Sequence, residues 1–232
     1  MTARMSTRAL TFANTTIGRK VIMAASGAAL FGFVIAHMLG NLQVFLGPDA
    51  INEYSHKLHE VPALLWGARA GLLVAVAAHI VTAVQLTAHN KRARPVGYRV
   101  TTSAATSYAA RTMIWSGPIL LLYIVYHLAH LTFGYTKGIG YQHLPLDGNG
   151  LPDVYHNVVE SFRVPWVTAV YVVAQLALAL HLYHGAWSMF QSLGLNHKRY
   201  NEPLRSSAVA LAMAVCVGFV AVPLGVLFGL VK

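Results

Sequence analysis

The chain has 232 residues, of which 56% are apolar and only 10% are charged. Soluble domains carry about 25% charged residues, so this composition excludes an ordinary soluble domain and predicts an integral membrane protein. The formal net charge is +10, but the basic residues lie in short stretches between apolar runs, which indicates membrane orientation and not nucleic-acid binding. A single cysteine, Cys216, excludes an internal disulfide and an iron–sulfur cluster held by this chain alone.

The first twenty residues are polar and lack the apolar core and cleavage pattern of a secretory signal peptide. Five apolar runs then follow, each long enough to cross the hydrocarbon core as a helix, which needs about 20 residues. They are roughly residues 20–46, 62–89, 111–135, 165–192 and 205–231. Prolines begin the second and fourth runs (Pro62, Pro165), and Pro118 and Pro223 lie inside two others, where a bundle tolerates a kink. The sequence predicts one all-α domain, residues 1–232, a bundle of five transmembrane helices.

Most lysine and arginine residues fall on one predicted side of the membrane, in the N-terminal segment and in the second-to-third and fourth-to-fifth connections. They are Arg4, Arg8, Arg19, Lys20, Lys91, Arg92, Arg94, Arg99, Arg111, Lys198, Arg199 and Arg205. The opposite side has fewer basic residues, namely Lys57, Lys137, Arg163 and Lys232, and most of the acids, namely Asp49, Glu53, Glu60, Asp147, Asp153 and Glu160. By the positive-inside rule we expect a cytoplasmic N-terminus and a C-terminus outside.

Each of the first four spans contains a histidine near the middle of the predicted membrane: His37, His79, His127 and His181. An ionisable side chain at this depth is costly and marks a functional position by default. Each lies 16 or 17 residues past the basic residue or proline that begins its span, or roughly 25 Å. Because neighbouring spans run in opposite directions, we expect His37 and His127 in the outer half and His79 and His181 in the inner half, with levels roughly 10 Å apart.

Two histidine pairs at two depths are suited to axial ligation of two haems. A single intramembrane histidine is often only a hydrogen-bonded packing residue, but four at matched depths favour ligands. Two neighbours compete with them: His130 and His184 each follow a candidate by three residues, rotated by about 60° on the helix. Spacing alone does not decide between neighbours.

Several stretches carry a resemblance over nearly the whole chain. They are FVIAHMLGNLQVFLG around His37, INEYSHKLHEVPALLWGARAGLLVAVAAH ending at His79, NKRARPVGY, YHLAHLTFG around His127, and LHLYHGAWSMFQSLGL with its His-x-x-x-Gly-x-Trp-Ser run from His181 to Ser188. This pattern resembles the cytochrome b558 membrane anchors of bacterial succinate dehydrogenases, of the single-chain, five-helix, two-haem type, and the related fumarate reductase anchors. The resemblance implies His127 and His181 as ligands in preference to His130 and His184. It also implies pairing of the first span with the third and of the second with the fourth.

The resemblance further implies a membrane subunit of respiratory complex II, an enzyme of the tricarboxylic acid cycle, in a bacterial cytoplasmic membrane. A flavoprotein subunit that oxidises succinate and an iron–sulfur subunit would dock on the cytoplasmic face, and two b haems would pass electrons to quinone, with menaquinone favoured over ubiquinone. Arg92 and Arg94 would help this docking, or they only set topology.

Haem propionates are anions, and Arg69 is the only lysine or arginine well inside a span. We expect it to meet a propionate of the outer haem, and the alternative is snorkelling to the interface. Weaker candidates for the inner haem are Arg19, Lys20, Ser26, Arg111 and Ser116. Quinone reduction also needs a proton donor near water, and the connection after the first span supplies Asn52, Tyr54, His56, His59 and Glu60. A second quinone site on the inner side is equally compatible with the sequence.

Other functions compete with this interpretation. A fumarate reductase anchor would run the same chemistry in reverse, and a cytochrome of another dehydrogenase or of a hydrogenase would share the haems. A transporter that relays protons through its histidines belongs to a different class, but the sequence has no inverted repeat. A membrane iron–sulfur cluster would need more cysteines than Cys216.

Overall fold

The structure, a computed structural model, describes residues 12–93, 108–135, 146, 150–195 and 197–232. These residues form five long α-helices and two short ones. Apart from one bridge between Leu146 and Pro152, all regular structure in these residues is helical. The α-helices are α1 (Thr16–Leu42), α2 (Pro48–His59), α3 (Pro62–Arg92), α4 (Tyr108–His127), α5 (Val154–Phe162), α6 (Pro165–Ser192) and α7 (Lys198–Leu227). Predicted features at Arg4, Arg8, Arg94, Arg99, Lys137 and Asp147 lie outside the described residues.

Five of these helices are long and apolar enough to cross a membrane, as the sequence predicts. Their apolar side chains are largely exposed on the outside of the bundle; Leu73 and Leu122, for example, are 67% and 71% exposed. A soluble protein rarely exposes so much apolar surface, whereas a lipid-facing surface requires it. The membrane-spanning character of the chain therefore follows from the helices themselves.

Local signals explain where the helices begin and end. Thr15 caps α1 by accepting a hydrogen bond from the backbone N–H of Gly18 at 2.9 Å. Beyond α1, a 3-10 turn (Gln43–Leu46) leads to Gly47, whose φ of 103° lets the chain turn sharply into α2. Helix α7 begins at Lys198, earlier than the predicted residue 205, because its polar first turns are helical although they are not apolar.

Two short helices stand where the sequence predicts only connections. Helices α2 and α5 pack against each other across one end of the bundle, which we call the cap end. The Asn52 side chain joins them: its Nδ2 donates to Asp153 Oδ1, and its Oδ1 accepts from the Tyr155 backbone N–H, both at 3.0 Å. Below them lies an apolar cluster that includes Val44, Ile51, Val158, Val159, Phe162, Val167, Tyr171, Val222, Val226 and Val231.

The first six helices repeat one plan twice. Helices α1, α2 and α3 form a long helix, a short cap helix and a long helix that starts with proline, and α4, α5 and α6 form the same series. The two halves run in the same direction, so this is a parallel repeat and not an inverted one. Helix α7 stands outside the repeat and packs against α1 and α6.

The helix packing defines the diagonals of a four-helix bundle. Helix α1 packs against α3, α4 packs against α6, and α1 also packs against α6. These contacts place the helices in the order α3, α1, α6, α4 around the bundle, so that α1 faces α4 and α3 faces α6 across its interior. Side chains that meet across these diagonals must therefore cross the interior of the bundle. We call the end opposite the cap, where α1, α4 and α7 begin, the basic end.

Candidate functional site

Two histidines meet across the first diagonal, near the cap end. The ring centroids of His37, from α1, and His127, from the last turn of α4, lie 5.8 Å apart with the rings at 78°. Phe33 stacks on His37 at 5.3 Å, and Phe219 of α7 lies 5.9 Å from it. These contacts hold the His37 ring toward the interior, and we call His37 and His127 the cap-side pair.

The other two histidines meet across the second diagonal, nearer the basic end. His79 of α3 and His181 of α6 have ring centroids 6.3 Å apart, with the rings at 59°. We call them the basic-side pair. All four histidines that the sequence singles out therefore lie in two facing pairs, one ring from each of four helices.

Serine side chains from neighbouring helices contact the basic-side pair. Ser26 Oγ of α1 lies 3.4 Å from His79 Nδ1 and donates its own proton to the carbonyl of Ile22 at 2.7 Å. Ser116 Oγ of α4 lies 3.1 Å from His181 Nδ1. Both serines are buried, at 8% and 4% exposure. Each imidazole is thus held at Nδ1 by the helix beside it.

The contacts of His79 determine its tautomer. Its Nδ1 also lies 3.3 Å from the backbone carbonyl of Met23, and a carbonyl oxygen only accepts hydrogen bonds. His79 Nδ1 therefore carries the proton, and Nε2 of the neutral ring keeps a free lone pair. A ring that donates from one nitrogen to a carbonyl or hydroxyl and offers the other nitrogen is the usual form of a metal-ligating histidine.

The positions of the two serines give the distance between the two histidine pairs along the helices. Ser26 marks the basic-side level on α1, and His37 follows it by eleven residues. Ser116 marks the same level on α4, and His127 also follows it by eleven. At 1.5 Å of rise per residue, the two levels are about 16 Å apart along the helices, more than the roughly 10 Å expected from sequence counting.

The competing histidines have different surroundings. His130 is fully buried in the π-helical turn Leu128–Thr132, stacks on Tyr126 at 5.4 Å and has its Nδ1 2.9 Å from the Tyr171 hydroxyl. The same hydroxyl lies 3.3 Å from His127 Nδ1. His127, and not His130, has its ring beside His37. His184 is half-buried, one turn beyond His181 toward the basic end.

The donor set fits haem better than a bare metal ion. Within the described residues, no group of three or more histidine, cysteine, aspartate or glutamate side chains is arranged to hold a metal. Haem iron needs only two axial ligands from the protein, and two imidazoles can supply them. The ring centroids in the two pairs are 5.8 and 6.3 Å apart, which would leave room for one metal atom between the rings with metal–nitrogen bonds of about 2 Å.

A glycine makes room for the basic-side pair. A Cβ atom at Gly27 would lie 3.3 Å from Cε1 and 3.5 Å from Nδ1 of His79, so any larger side chain would push against the ring. At Gly32, on the same helix, a Cβ atom would meet nothing within 4 Å. Glycine at residue 27 therefore leaves the space that the His79 ring needs.

The expected propionate partners are spread over both ends. Arg69 stacks over the exposed ring of Trp66 at 4.8 Å, on the side toward the cap end, as snorkelling would require. Within the part of the chain that the structure describes, the buried Nε of Arg19 has no hydrogen-bond partner, and Arg19 lies seven residues before Ser26. Lys20 and Arg111 are exposed. Ser26 and Ser116 contact the histidines themselves, at Nδ1 of His79 and of His181.

The quinone candidates all lie on or next to α2. Asn52 joins the two cap helices, and His59 Nδ1 donates to the carbonyl of Ser55 at 2.8 Å. The Tyr54 ring packs against Gly40 of α1, one turn beyond His37, where a Cβ would lie 2.7 Å from Tyr54 Cε1. His56 is half-buried and Glu60 is exposed. Of these five, Tyr54 is therefore attached to α1 at the level nearest the cap-side pair.

An exposed ion pair on α2 stays charged near neutral pH. Lys57 Nζ lies 2.7 Å from Glu53 Oε1. This hydrogen bond and the attraction between the charges lower the pKa of Glu53 and raise the pKa of Lys57. Neither group is therefore suited to exchanging protons with a quinone at pH 7.

Sequence reasoning missed the residues that hold the imidazoles in place. Tyr171 lies six residues into α6, roughly 10 Å from its cap end, so the depth count that located the histidines also puts it at the level of His127. The sequence predicts Ser26 and Ser116 as propionate partners and not as partners of histidine rings.

Comparisons with models of known protein families, with curated proteins and with solved structures found no match to the chain.

Proposed function

We propose that the chain is the di-haem b membrane anchor of a succinate:quinone oxidoreductase. It would receive electrons from an iron–sulfur subunit and deliver them through two b haems to a membrane quinone. The observation that carries the proposal is the meeting of four histidines in two pairs, with ring centroids 5.8 and 6.3 Å apart, across the two diagonals of the bundle. His37 and His127 would hold one haem, and His79 and His181 the other.

The spacing of the pairs supports electron transfer across the membrane. Levels about 16 Å apart divide a hydrocarbon core of about 30 Å into steps of roughly half its thickness. When bound, haem supplies one-electron chemistry, and its potential depends on the axial ligands and their hydrogen bonds. This chain's part is to fix the imidazoles, exclude water and keep the two levels at a constant distance.

Charge supports the orientation in the membrane. Arg19 and Lys20 at the start of α1, Lys91 and Arg92 at the end of α3, and Lys198 at the start of α7 all belong to the basic end. We assign this end to the cytoplasm of a bacterial cell, with the cap end outside. The flavoprotein and iron–sulfur subunits would dock on the basic end, next to the haem held by His79 and His181.

Arg19 is the best-supported propionate partner. Among the described residues its buried Nε has no hydrogen-bond partner, and a buried N–H group without an acceptor is costly. Positions seven residues apart share a helix face, so Arg19 lies on the face of Ser26, two turns closer to the basic end. A propionate of the basic-side haem would satisfy it. Arg69 remains our proposal for the cap-side haem.

The quinone would be reduced near the cap. Tyr54 is held against α1 one turn from His37, and a phenol at that position can hydrogen-bond a quinone oxygen. The neighbouring His56, His59 and Glu60 lie on or next to the same short helix, from which protons can be exchanged with water. We favour menaquinone on the basis of the sequence resemblance alone.

Ligand assignment is tested by counting haems in two matched variants. We expect two b haems per chain in the wild-type protein, one in His127→Ala and two in His130→Ala, because only the first substitution removes an axial ligand. The measurement is the haem-to-protein ratio together with the reduced-minus-oxidised spectrum. A wild-type protein without a b-type α-band would reject the haem proposal and favour a proton-relay function. Loss of haem in His130→Ala alone would reverse the ligand assignment.

The space beside His79 gives a second test that leaves every ligand in place. We expect Gly27→Val to lose one haem, since its methyl groups would displace the His79 ring from His181. Gly32→Val puts the same side chain on the same helix where there is room, so it should keep two haems and control for the lower helix propensity of valine. Equal haem content in both variants would contradict this geometry.

The reaction is tested on the complex purified with its soluble partners. Succinate should reduce both b components, and a quinone analogue that occupies the quinone site should leave them reduced. If succinate reduces neither component while dithionite reduces both, the chain serves a different dehydrogenase. Rapid oxidation of the haems by fumarate would identify the reverse reaction as the physiological one.

A further inference from the structure

One tyrosine hydroxyl lies between two histidines at the cap-side level. Tyr171 Oη of α6 is 3.3 Å from His127 Nδ1 and 2.9 Å from His130 Nδ1. Tyr171 is 4% exposed and His130 is fully buried, so water does not compete for either contact. At the basic-side pair, serine hydroxyls occupy the equivalent place, and Ser26 donates onward to a backbone carbonyl and not to a second histidine.

Counting the available protons shows which group donates in each of these two hydrogen bonds. If His127 binds iron through Nε2, its Nδ1 carries the proton and donates to Tyr171 Oη. The tyrosine has one hydroxyl proton, which is then free to be donated to Nδ1 of His130, in agreement with the shorter of the two distances. The result is a chain from His127 through Tyr171 to His130. In such chains each bond strengthens the next, so the Tyr171 oxygen is a better acceptor than an isolated hydroxyl.

Packing prevents the Tyr171 ring from moving away. It meets Phe162 edge-to-face at 4.8 Å and Tyr123 edge-to-face at 5.3 Å, and it belongs to the apolar cluster below the cap. Edge-to-face contacts of this kind fix the ring plane as well as its position. The hydroxyl is therefore presented to His127 at a constant distance.

We propose that Tyr171 is a positioning residue that fixes the tautomer of His127 and raises the electron donation of this ligand to the cap-side haem. This inference rests on the proposed function. A stronger acceptor at Nδ1 makes the imidazole a more basic ligand, which favours ferric over ferrous iron and lowers the potential. Serine hydroxyls and not a tyrosine contact the basic-side pair, so the two haems would differ in potential because their second partners differ.

The matched variants are Tyr171→Phe and Tyr123→Phe. Both remove one hydroxyl from the same aromatic cluster, but the Tyr123 hydroxyl accepts from Gln175 Nε2 at 3.1 Å and not from a histidine. A redox titration of the two b components is the readout, and the cap-side component is the one that His127→Ala loses. We expect Tyr171→Phe to shift the potential of this component upward and Tyr123→Phe to leave it unchanged. Ser116→Ala should move the other component.

Several results would overturn the inference. They are an unchanged cap-side potential in Tyr171→Phe, an equal shift in Tyr123→Phe, or a shift of the basic-side component instead. If Tyr171→Phe fails to retain the cap-side haem, His130→Leu keeps the hydroxyl and removes only its acceptor, and a smaller upward shift is expected; no shift there rejects the hydrogen-bonded chain. All these results presuppose a wild-type protein with two haems. A wild-type protein without haem rejects the proposed function itself, so the two failures are distinct.

Discussion

The rest of the structure depends on how half-buried histidine rings find hydrogen-bond partners for a ring nitrogen inside a membrane. A polar group in hydrocarbon without a partner costs several kcal/mol, so a ring nitrogen there needs a partner on another helix. His79 and His181 find one at Nδ1 in serines of α1 and α4, and His127 finds one in Tyr171 of α6. The second nitrogen of each ring is then left for the interior. The same contacts that remove this cost also fix which helices are neighbours.

The parallel repeat explains why the site has two levels. In each half of the chain, the first long helix carries a serine and, eleven residues later, a histidine: Ser26 and His37 in α1, Ser116 and His127 in α4. The other long helix carries its histidine 16 or 17 residues after an initial proline. Each serine contacts a histidine of the basic-side pair, while the histidine of the same helix belongs to the cap-side pair, so one helix contributes to both levels. Duplicating this plan about the axis of the bundle gives two similar pairs at different depths.

Sequence could predict the helices and the residues that face each other, because length, hydropathy and depth are properties that a linear count contains. It could not predict the cap helices α2 and α5, which are too short and too polar to be detected as apolar runs, and it started α7 late because Lys198 and its neighbours are polar. Sequence also could not predict that Ser26, Ser116 and Tyr171 contact the histidine rings. These contacts depend on the rotation of one helix against another, which sets whether a hydroxyl points at a ring nitrogen or past it.

The most direct test of the account is low-temperature electron paramagnetic resonance of the oxidised protein. If the ring planes kept their angles of 78° and 59° with haem bound, the iron orbitals that bond with them would be nearly equal in energy, and the g-tensor of low-spin ferric iron would be strongly anisotropic. We expect two such low-spin signals, one from each pair, in equal amounts. A high-spin ferric signal, a single low-spin species, or no haem signal would contradict the claim that these four histidines hold two haems.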